Sequence, residues 1–308
     1  MKEIRLFEAF AGYGSQLMAL RRLEKAFNDE IKIVPVGISE IDPHAIKAYQ
    51  AVHGDVTNYG DISKIDWSQV PDFDLFTYSS PCTDFSNAGK QMGGEEGSGT
   101  RSSLLWECRR AILAKKPKYL LMENVAALVQ AKFIKLFNKW QLELESYGYK
   151  NFAKVLNAKN YNVPQNRERI FMVSILDENA RFEFPNPMPL QRKLKDVLEK
   201  DVDERYYLSE ERLQGLNIST QRNKDAGKGF AFNHKTENDE TANSVTTKSG
   251  GRKTDNFIKT VGNIYDTSNG GKAAGIVIDD GGGLFSTLRA GDNSKLIEYG
   301  EKDKVENS

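Results

Sequence analysis

The chain has 308 residues, 39% of them apolar, with 43 basic against 43 acidic side chains. That is long enough for one large or two ordinary domains with a real core, and it lacks the overall positive charge of a wholly basic nucleic-acid binder. The two cysteines, Cys82 and Cys108, are too few for a disulfide scaffold and fit a reducing compartment, no run of about 18 apolar residues offers a membrane span, and Met1-Lys2-Glu3 runs straight into a short apolar stretch.

A cytoplasmic location is therefore expected, with neither a signal peptide nor a membrane helix. His44, His53 and His234 are far apart in sequence, so no histidine-rich metal site is expected. The zero sum hides local asymmetry. Residues 51–100 hold 2 basic and 8 acidic side chains, whereas residues 101–150 hold 10 basic and 4 acidic. A third stretch, 241–259, carries Lys248, Arg252, Lys253 and Lys259 against Asp255. Solvated surface and phosphate contact both account for such windows.

To about residue 190 the chain alternates short apolar runs with amphipathic stretches, which predicts an α/β, doubly wound and mainly parallel sheet. Ile4–Phe10 is the first predicted strand, followed by Gly12, Gly14 and a helix over Gln16–Phe27. Ile31–Ser39 predicts a second strand. Pro43–Val52 predicts a helix, with Asp42 as its N-cap and Pro43 in its first turn. Asp74–Ser79 is a third strand that stops at Pro81-Cys82. Leu104–Ala114 predicts a helix, and Tyr119–Met122 a buried strand ending in Glu123-Asn124. Phe133–Tyr147 predicts a helix closed by Gly148, and Ile170–Leu176 a late strand. After Pro185–Pro189 the composition shifts to Gly, Asn, Thr, Ser and Lys, with eight glycines among residues 262–291. This predicts a second, smaller, β-rich recognition domain over 191–308, with short strands at Ser244–Thr247, Gly275–Ile278 and Phe285–Leu288.

Four clusters carry candidate chemistry. Phe10-Ala11-Gly12-Tyr13-Gly14 joins a strand to a helix through a glycine turn that lets backbone approach a ligand. The full G-x-G-x-x-G pattern fails because Leu17 occupies its last position, so a purely structural turn is an equal alternative. Glu40, after the second strand, could hold ribose hydroxyls, and Asp61-Ile62 could add an adenine contact. Cys82 follows a proline at a strand end, where open α/β sheets bind ligands, and Gly89–Gly99 holds five glycines in eleven residues, as a lid would. Cys108, inside a predicted helix, reads as an inert buried thiol. The last pieces are Glu123-Asn124-Val125 at another strand end and Gln165-Asn166-Arg167-Glu168-Arg169 before the late strand.

In this order the blocks resemble the cytosine-5 DNA methyltransferases over residues 4–200. The resemblance implies that Phe10, Gly12 and Gly14 form an S-adenosylmethionine loop, that Glu40 and Ile41 hold the ribose and flank the adenine, and that Asp61 and Ile62 hold the adenine edge. It makes Pro81-Cys82 the nucleophile block and Arg101-Ser102-Ser103-Leu104 a cofactor-side helix start. Glu123 becomes the acid, and Arg167 and Arg169 the pair that holds a flipped cytosine. Arg192–Glu199 looks like the lead into target recognition.

The chemistry needs these residue types. Cytosine C5 takes no methyl group unaided, but a thiolate adding at C6 makes the ring an enamine-like nucleophile. A protonated Glu123 donates to N3, and the arginines offer donors to O2 and the backbone. The base must leave the stack to be reached. The implied function is DNA cytosine-5 methylation in a restriction–modification or phage self-protection system. The implied partner is double-stranded DNA, with no metal and no membrane.

Two departures stand out. Thr83 follows Cys82 where many relatives carry Gln, and the chain ends in the polar Glu298–Ser308 without the family's closing helix. A truncated product, a half completed by a C-terminal polypeptide, and a shortened but sufficient ending are all compatible with this. So is an inactive DNA-binding remnant. An RNA cytosine-5 methyltransferase would share the chemistry, but the long insertion after Arg192 favours DNA.

Overall fold

A computed structural model describes residues 1–81, 97, 101–198, 207–227, 232, 234–236, 238–244, 257–259 and 264–266. Cys82, Thr83 and the glycine-rich stretch that follows, Gly97 apart, lie outside the described residues. So do most of the strand expected at Ser244–Thr247, all of those at Gly275–Ile278 and Phe285–Leu288, and the tail.

The chain opens with β1 (Lys2–Ala9), α1 (Ser15–Ala26), β2 (Ile31–Ser39), α2 (Pro43–His53) and β3 (Leu75–Tyr78). It continues through α3 (Cys108–Lys115), β4 (Tyr119–Val125), α4 (Ile134–Ser146), β5 (Lys150–Asn157), β6 (Gln165–Asn166) and β7 (Glu168–Ile175). Six strands form one sheet in the order β2-β1-β3-β4-β7-β5. β1 pairs in parallel with β2 and β3, and β3 with β4; β7 runs antiparallel to both β4 and β5. The carboxyl ends of β1 to β5 therefore share one edge with the amino end of β7.

Alternation along β1 builds the two faces. Leu6 packs with Leu17, Ile33, Ile38 and Tyr49 beneath α1 and α2. Phe7, one residue on, joins an aromatic cluster with Trp67, Phe73 and Phe76. Its ring lies 5.2 Å from that of Trp67 and 5.3 Å from that of Phe73. The second face continues into Ile112 of α3 and Trp140 of α4, whose indole N–H donates to the Tyr78 hydroxyl at 3.1 Å. Buried Cys108 belongs to this core, and burial pushes its thiol up, as expected for an inert cysteine.

Local chemistry sets the element ends. Asp42 accepts hydrogen bonds from His44 N and Ala45 N, capping α2 as expected with Pro43 in its first turn. Gly148, at φ +92°, closes the segment after α4.

Three features depart from the sequence reading. The stretch predicted as helix from Leu104 is 3-10 helix over Arg101–Glu107 and α-helical only from Cys108. β5 went unrecognised because it is an edge strand with mostly exposed or half-buried residues, which gives no apolar run. The region expected to be β-rich also contains α5 (Glu210–Asp225). That helix is mostly polar, with Leu213, Leu216 and Ile218 its apolar side chains and Gly215 in its middle, but the Ser209 hydroxyl caps it and Arg222 and Lys224 complement its last turn.

Beyond the main sheet lie β8 (His234–Thr236), β9 (Ala242–Asn243), β10 (Phe257–Lys259) and β11 (Ile264–Asp266). Leu194, Val197, Ala242 and Ile258 form a small core of their own. β9 pairs with β6, and the Ser244 hydroxyl donates to Asn166 O at 3.0 Å.

Candidate active site at the carboxyl edge of the sheet

From β1 the chain crosses to β2 on one side, and then to β3 on the other, so the carboxyl ends of β1 and β3 flank a switch point where open sheets hold ligands. The glycine loop sits there. Phe10 (φ +56°), Gly12 (φ +57°) and Gly14 (φ +81°) all adopt left-handed backbone, which only the glycines take without strain. A Cβ on Gly12 would meet nothing within 4 Å, so open space lies over the loop at that point.

Glu40 organises the loop side. Its Oε2 accepts from Gly12 N at 2.8 Å, and its Oε1 accepts from Ile41 N at 2.8 Å and Asp42 N at 2.9 Å. One carboxylate thus ties the turn after β2 to the loop after β1. Oε2, holding one of these bonds, retains capacity for another donor. Ile41 is 71% exposed beside it, an apolar side chain offered to solvent. Asp61 caps a short 3-10 helix, accepting from the Ser63 N–H and hydroxyl, and these bonds hold its carboxyl below the usual carboxylate range. Ile62 is 2% exposed and its side chain belongs to the core.

The residues ahead of Cys82 are pinned from two sides. Gln16, at the start of α1, donates to the Ser79 hydroxyl at 2.8 Å. Asn124 donates to Ser80 O and Ser80 Oγ, both at 3.2 Å, from the end of β4. Pro81 is half-buried beyond them.

The antiparallel β4–β7 register brings acid and base together. Val125 faces Arg169 and Glu123 faces Phe171, so Glu123 and Arg169 are diagonal neighbours on one face. Arg169 Nε lies 3.0 Å from Glu123 Oε1, with both side chains largely buried. Arg167 is held through its backbone, its N–H donating to Asn157 Oδ1 at 3.1 Å. Burial raises the Tyr13 hydroxyl, and the charge of the Arg167 guanidinium opposes that shift. Leu104 is half-buried on the edge of the main core. It lines a cleft of about 360 Å³ with Gly97, Ser103, Trp106, Glu107, Arg109 and Arg110, which includes none of the loop or strand-end residues.

Four groups were missed in the sequence reading: Glu8, Gln16, Tyr49 and the role of His53. Glu8 is 1% exposed near the end of β1, accepting from Tyr49 OH at 2.6 Å and Leu17 N at 3.1 Å. A charged residue inside the apolar run Leu6-Phe7-Glu8-Ala9-Phe10 was the available signal.

Known proteins match this arrangement. The model of the C-5 cytosine-specific DNA methylase family aligns with residues 4–294. The type II methyltransferase M2.ScrFI of Lactococcus lactis subsp. cremoris is 41% identical over 258 residues, covering 67% of this chain and 70% of that protein. M.NlaX of Neisseria lactamica, also a type II methyltransferase, is 36% identical over 228 residues, covering 74% and 70%. The solved structure of the Entamoeba histolytica methyltransferase EhMeth superposes with a TM-score of 0.61 at 17% identity, covering 80% of this chain and 72% of that one, which is a likeness of fold. With the α/β sheet and the strand-end residues in place, the family match over nearly the whole chain has one meaning: this chain belongs to the C-5 cytosine-specific DNA methylase family, a family of enzymes.

Proposed function

We propose that the chain transfers a methyl group from S-adenosylmethionine to C5 of a cytosine in double-stranded DNA, in a restriction–modification or self-protection setting. Residues 1–190 would be the catalytic domain and 191–308 the recognition domain. The observation that carries this reading is the diagonal Glu123–Arg169 pair, set on the same sheet edge as the glycine loop and Pro81. A carboxyl group and a guanidinium side by side suit a base that needs a proton donor at N3 and a donor at O2.

The loop fits the cofactor. Gly12 leaves open space, Glu40 Oε2 has spare accepting capacity for a sugar hydroxyl, and exposed Ile41 offers an apolar flank for a purine. S-adenosylmethionine supplies an electrophilic methyl group when bound. Asp61 and Ile62 would border the adenine, with Ile62 contributing backbone because its side chain is in the core. Leu104 would pack on the cofactor side.

On the base side, the thiolate of Cys82 adds to C6, forming the S–C6 bond while Glu123, having exchanged its ion pair with Arg169 for a proton from solvent as the base enters, delivers that proton to N3. The electron pair moved to C5 would take the methyl group as its bond to the sulfonium sulfur breaks, with S-adenosylhomocysteine as the leaving group. Loss of the C5 proton to a base then expels the thiolate and restores the ring, and Glu123 recovers its proton from N3. Arg167 and Arg169 orient the base, which is swung out of the duplex so that C6 becomes accessible. Asn124 and Gln16 hold the strand end that carries the nucleophile through Ser80 and Ser79.

A labelled-methyl assay on mixed-sequence duplex DNA tests the reading. Incorporation is expected for the wild-type chain and a loss of at least about a thousandfold in Cys82→Ser, since removal of a covalent nucleophile leaves only binding effects. A duplex containing 5-fluorocytosine should trap the wild-type chain covalently. No incorporation and no adduct at high protein concentration would sink the proposal and leave a DNA-binding remnant.

A further inference from the structure

Behind the glycine loop lies a closed chain of contacts that the chemistry above does not use. The His53 ring, in the last turn of α2, has Nε2 3.1 Å from Tyr13 O and Nδ1 3.4 Å from Arg21 NH1 on α1. The ring packs on Tyr49 with centroids 4.8 Å apart, and the Tyr49 hydroxyl donates to Glu8 of β1. Glu8 in turn accepts from Leu17 N, in the first turn of α1. A Cβ on Gly14 would collide with the imidazole and lie 2.7 Å from Tyr49 Cε2, so the bare glycine is what lets the ring approach the loop.

These partners dictate the form of the imidazole. A guanidinium can only donate, so Nδ1 must accept; a carbonyl can only accept, so Nε2 must carry the hydrogen. We propose that His53, as the neutral Nε2–H form, is a positioning residue that sets the cofactor loop by donating to the Tyr13 carbonyl. Glu40 fixes the same loop one position earlier through Gly12 N. The loop is thus held at Gly12 and Tyr13, by Glu40 just ahead of α2 and by His53 in its last turn, and a shift of α2 would move the cofactor cradle.

The charged and titratable groups facing the ring are Arg21 of α1, Tyr49 of α2 and, behind Tyr49, Glu8 of β1; the loop itself presents backbone carbonyls. Burial and Arg21 both hold the imidazole below its usual range, consistent with the neutral form. A protonated ring would point a second N–H at the guanidinium.

This inference rests on the cofactor reading, so its test separates the two. In the full chain, His53→Gln carries an amide nitrogen to the Nε2 position and can still donate to Tyr13 O. His53→Asn reaches only the Nδ1 position and cannot. Affinity for S-adenosylhomocysteine, measured by titration calorimetry, should stay within about twofold of wild type in the Gln variant and fall roughly tenfold in the Asn variant, the scale of one lost hydrogen bond with its partner left buried. In turnover the Asn variant should raise the cofactor KM with kcat nearly unchanged. Any other order of the two variants overturns the assignment of His53. A wild-type chain that fails to bind S-adenosylhomocysteine overturns the cofactor reading as well. Independently of any ligand, nitrogen NMR shifts of His53 should report the Nε2–H form at neutral pH, and an Nδ1–H form would refute the proposal.

Discussion

On the β1–β2 side of the carboxyl edge, the glycine loop is tied down by Glu40 on Gly12 N, His53 on Tyr13 O and Glu8 on Leu17 N, with Glu8 and Tyr49 fully buried. On the β4–β7 side, Arg169 pairs with Glu123 and donates from NH1 to Glu168 O at 2.8 Å, and the Arg167 N–H donates to Asn157. The first side is shaped before any ligand arrives. The second presents its functional groups on side chains, a carboxyl group and guanidinium held together. Preorganised backbone suits a ligand bound in one pose, and paired side-chain donors suit the base that the proposed reaction requires.

The sharpest way to break this contrast is to change the base side alone. Glu123→Gln keeps the shape but removes the transferable proton. Methyl transfer should fall by about 10²–10⁴-fold, the usual worth of a general acid, while affinity for S-adenosylhomocysteine stays within about twofold. If cofactor affinity fell in parallel with rate, the two sides would not be separable.

The next effect belongs to the loop. Gly14→Ala asks a side chain to adopt φ +81° and to occupy the space of the His53 ring. Left-handed strain and steric displacement together should cost about 2–4 kcal/mol of stability. Urea denaturation would measure it, and cofactor affinity should drop with it. A neutral result would mean that the loop is looser than its contacts imply.

Glu8 gives the comparison a pH signature. Burial pushes its carboxyl up from 4.5 to about 7, against the opposing effect of the Tyr49 and Leu17 hydrogen bonds and Arg21. Between those values the folded chain binds more protons at Glu8 than the unfolded chain does. Stability from this group is therefore full below pH 4.5 and is lost as pH rises to about 7. Glu8→Gln keeps an acceptor for Leu17 N and, with its amide nitrogen, turns Tyr49 OH from donor to acceptor, without the ionisation. Relative to wild type, the variant should gain about 3 kcal/mol on going from pH 4.5 to 8, given 1.36 kcal/mol per unit. Denaturation curves at several pH values check the slope, and parallel curves would remove Glu8 from the account.

Much of the catalytic fold was legible in sequence because its strands and helices announce themselves through apolar runs and caps. Ile31–Ser39 was read at its observed bounds, and Asp42 caps α2 as its sequence position implies. What escaped reading was long-range pairing. The ion pair of Glu123 with Arg169 depends on β7 running antiparallel to β4, which no local pattern reveals. His53 looked unremarkable because its partners Tyr13 and Arg21 lie 40 and 32 residues away. The α5 helix was hidden because its residues form no apolar stripe, and only the Ser209 cap hinted at it.

The smallest effect should come from the opposite edge of the sheet, and it serves as the control for both sides. Arg5 and Asp74 sit at the start of the β1–β3 pairing, where Asp74 accepts from Arg5 N at 2.9 Å, Nε at 3.0 Å and NH2 at 2.9 Å. The guanidinium holds the Asp74 carboxyl below the usual range, but the pair is substantially exposed, so solvent screens most of its attraction. Asp74→Asn should cost no more than about 1 kcal/mol, the scale of an exposed ion pair. Cofactor affinity and methyl transfer should be unchanged, because no hydrogen bond described for this pair reaches the carboxyl edge. A measurable loss of turnover in this variant would show that strain crosses the sheet from edge to edge. Differences between the β1–β2 and β4–β7 sides could not then be assigned to local anchoring alone.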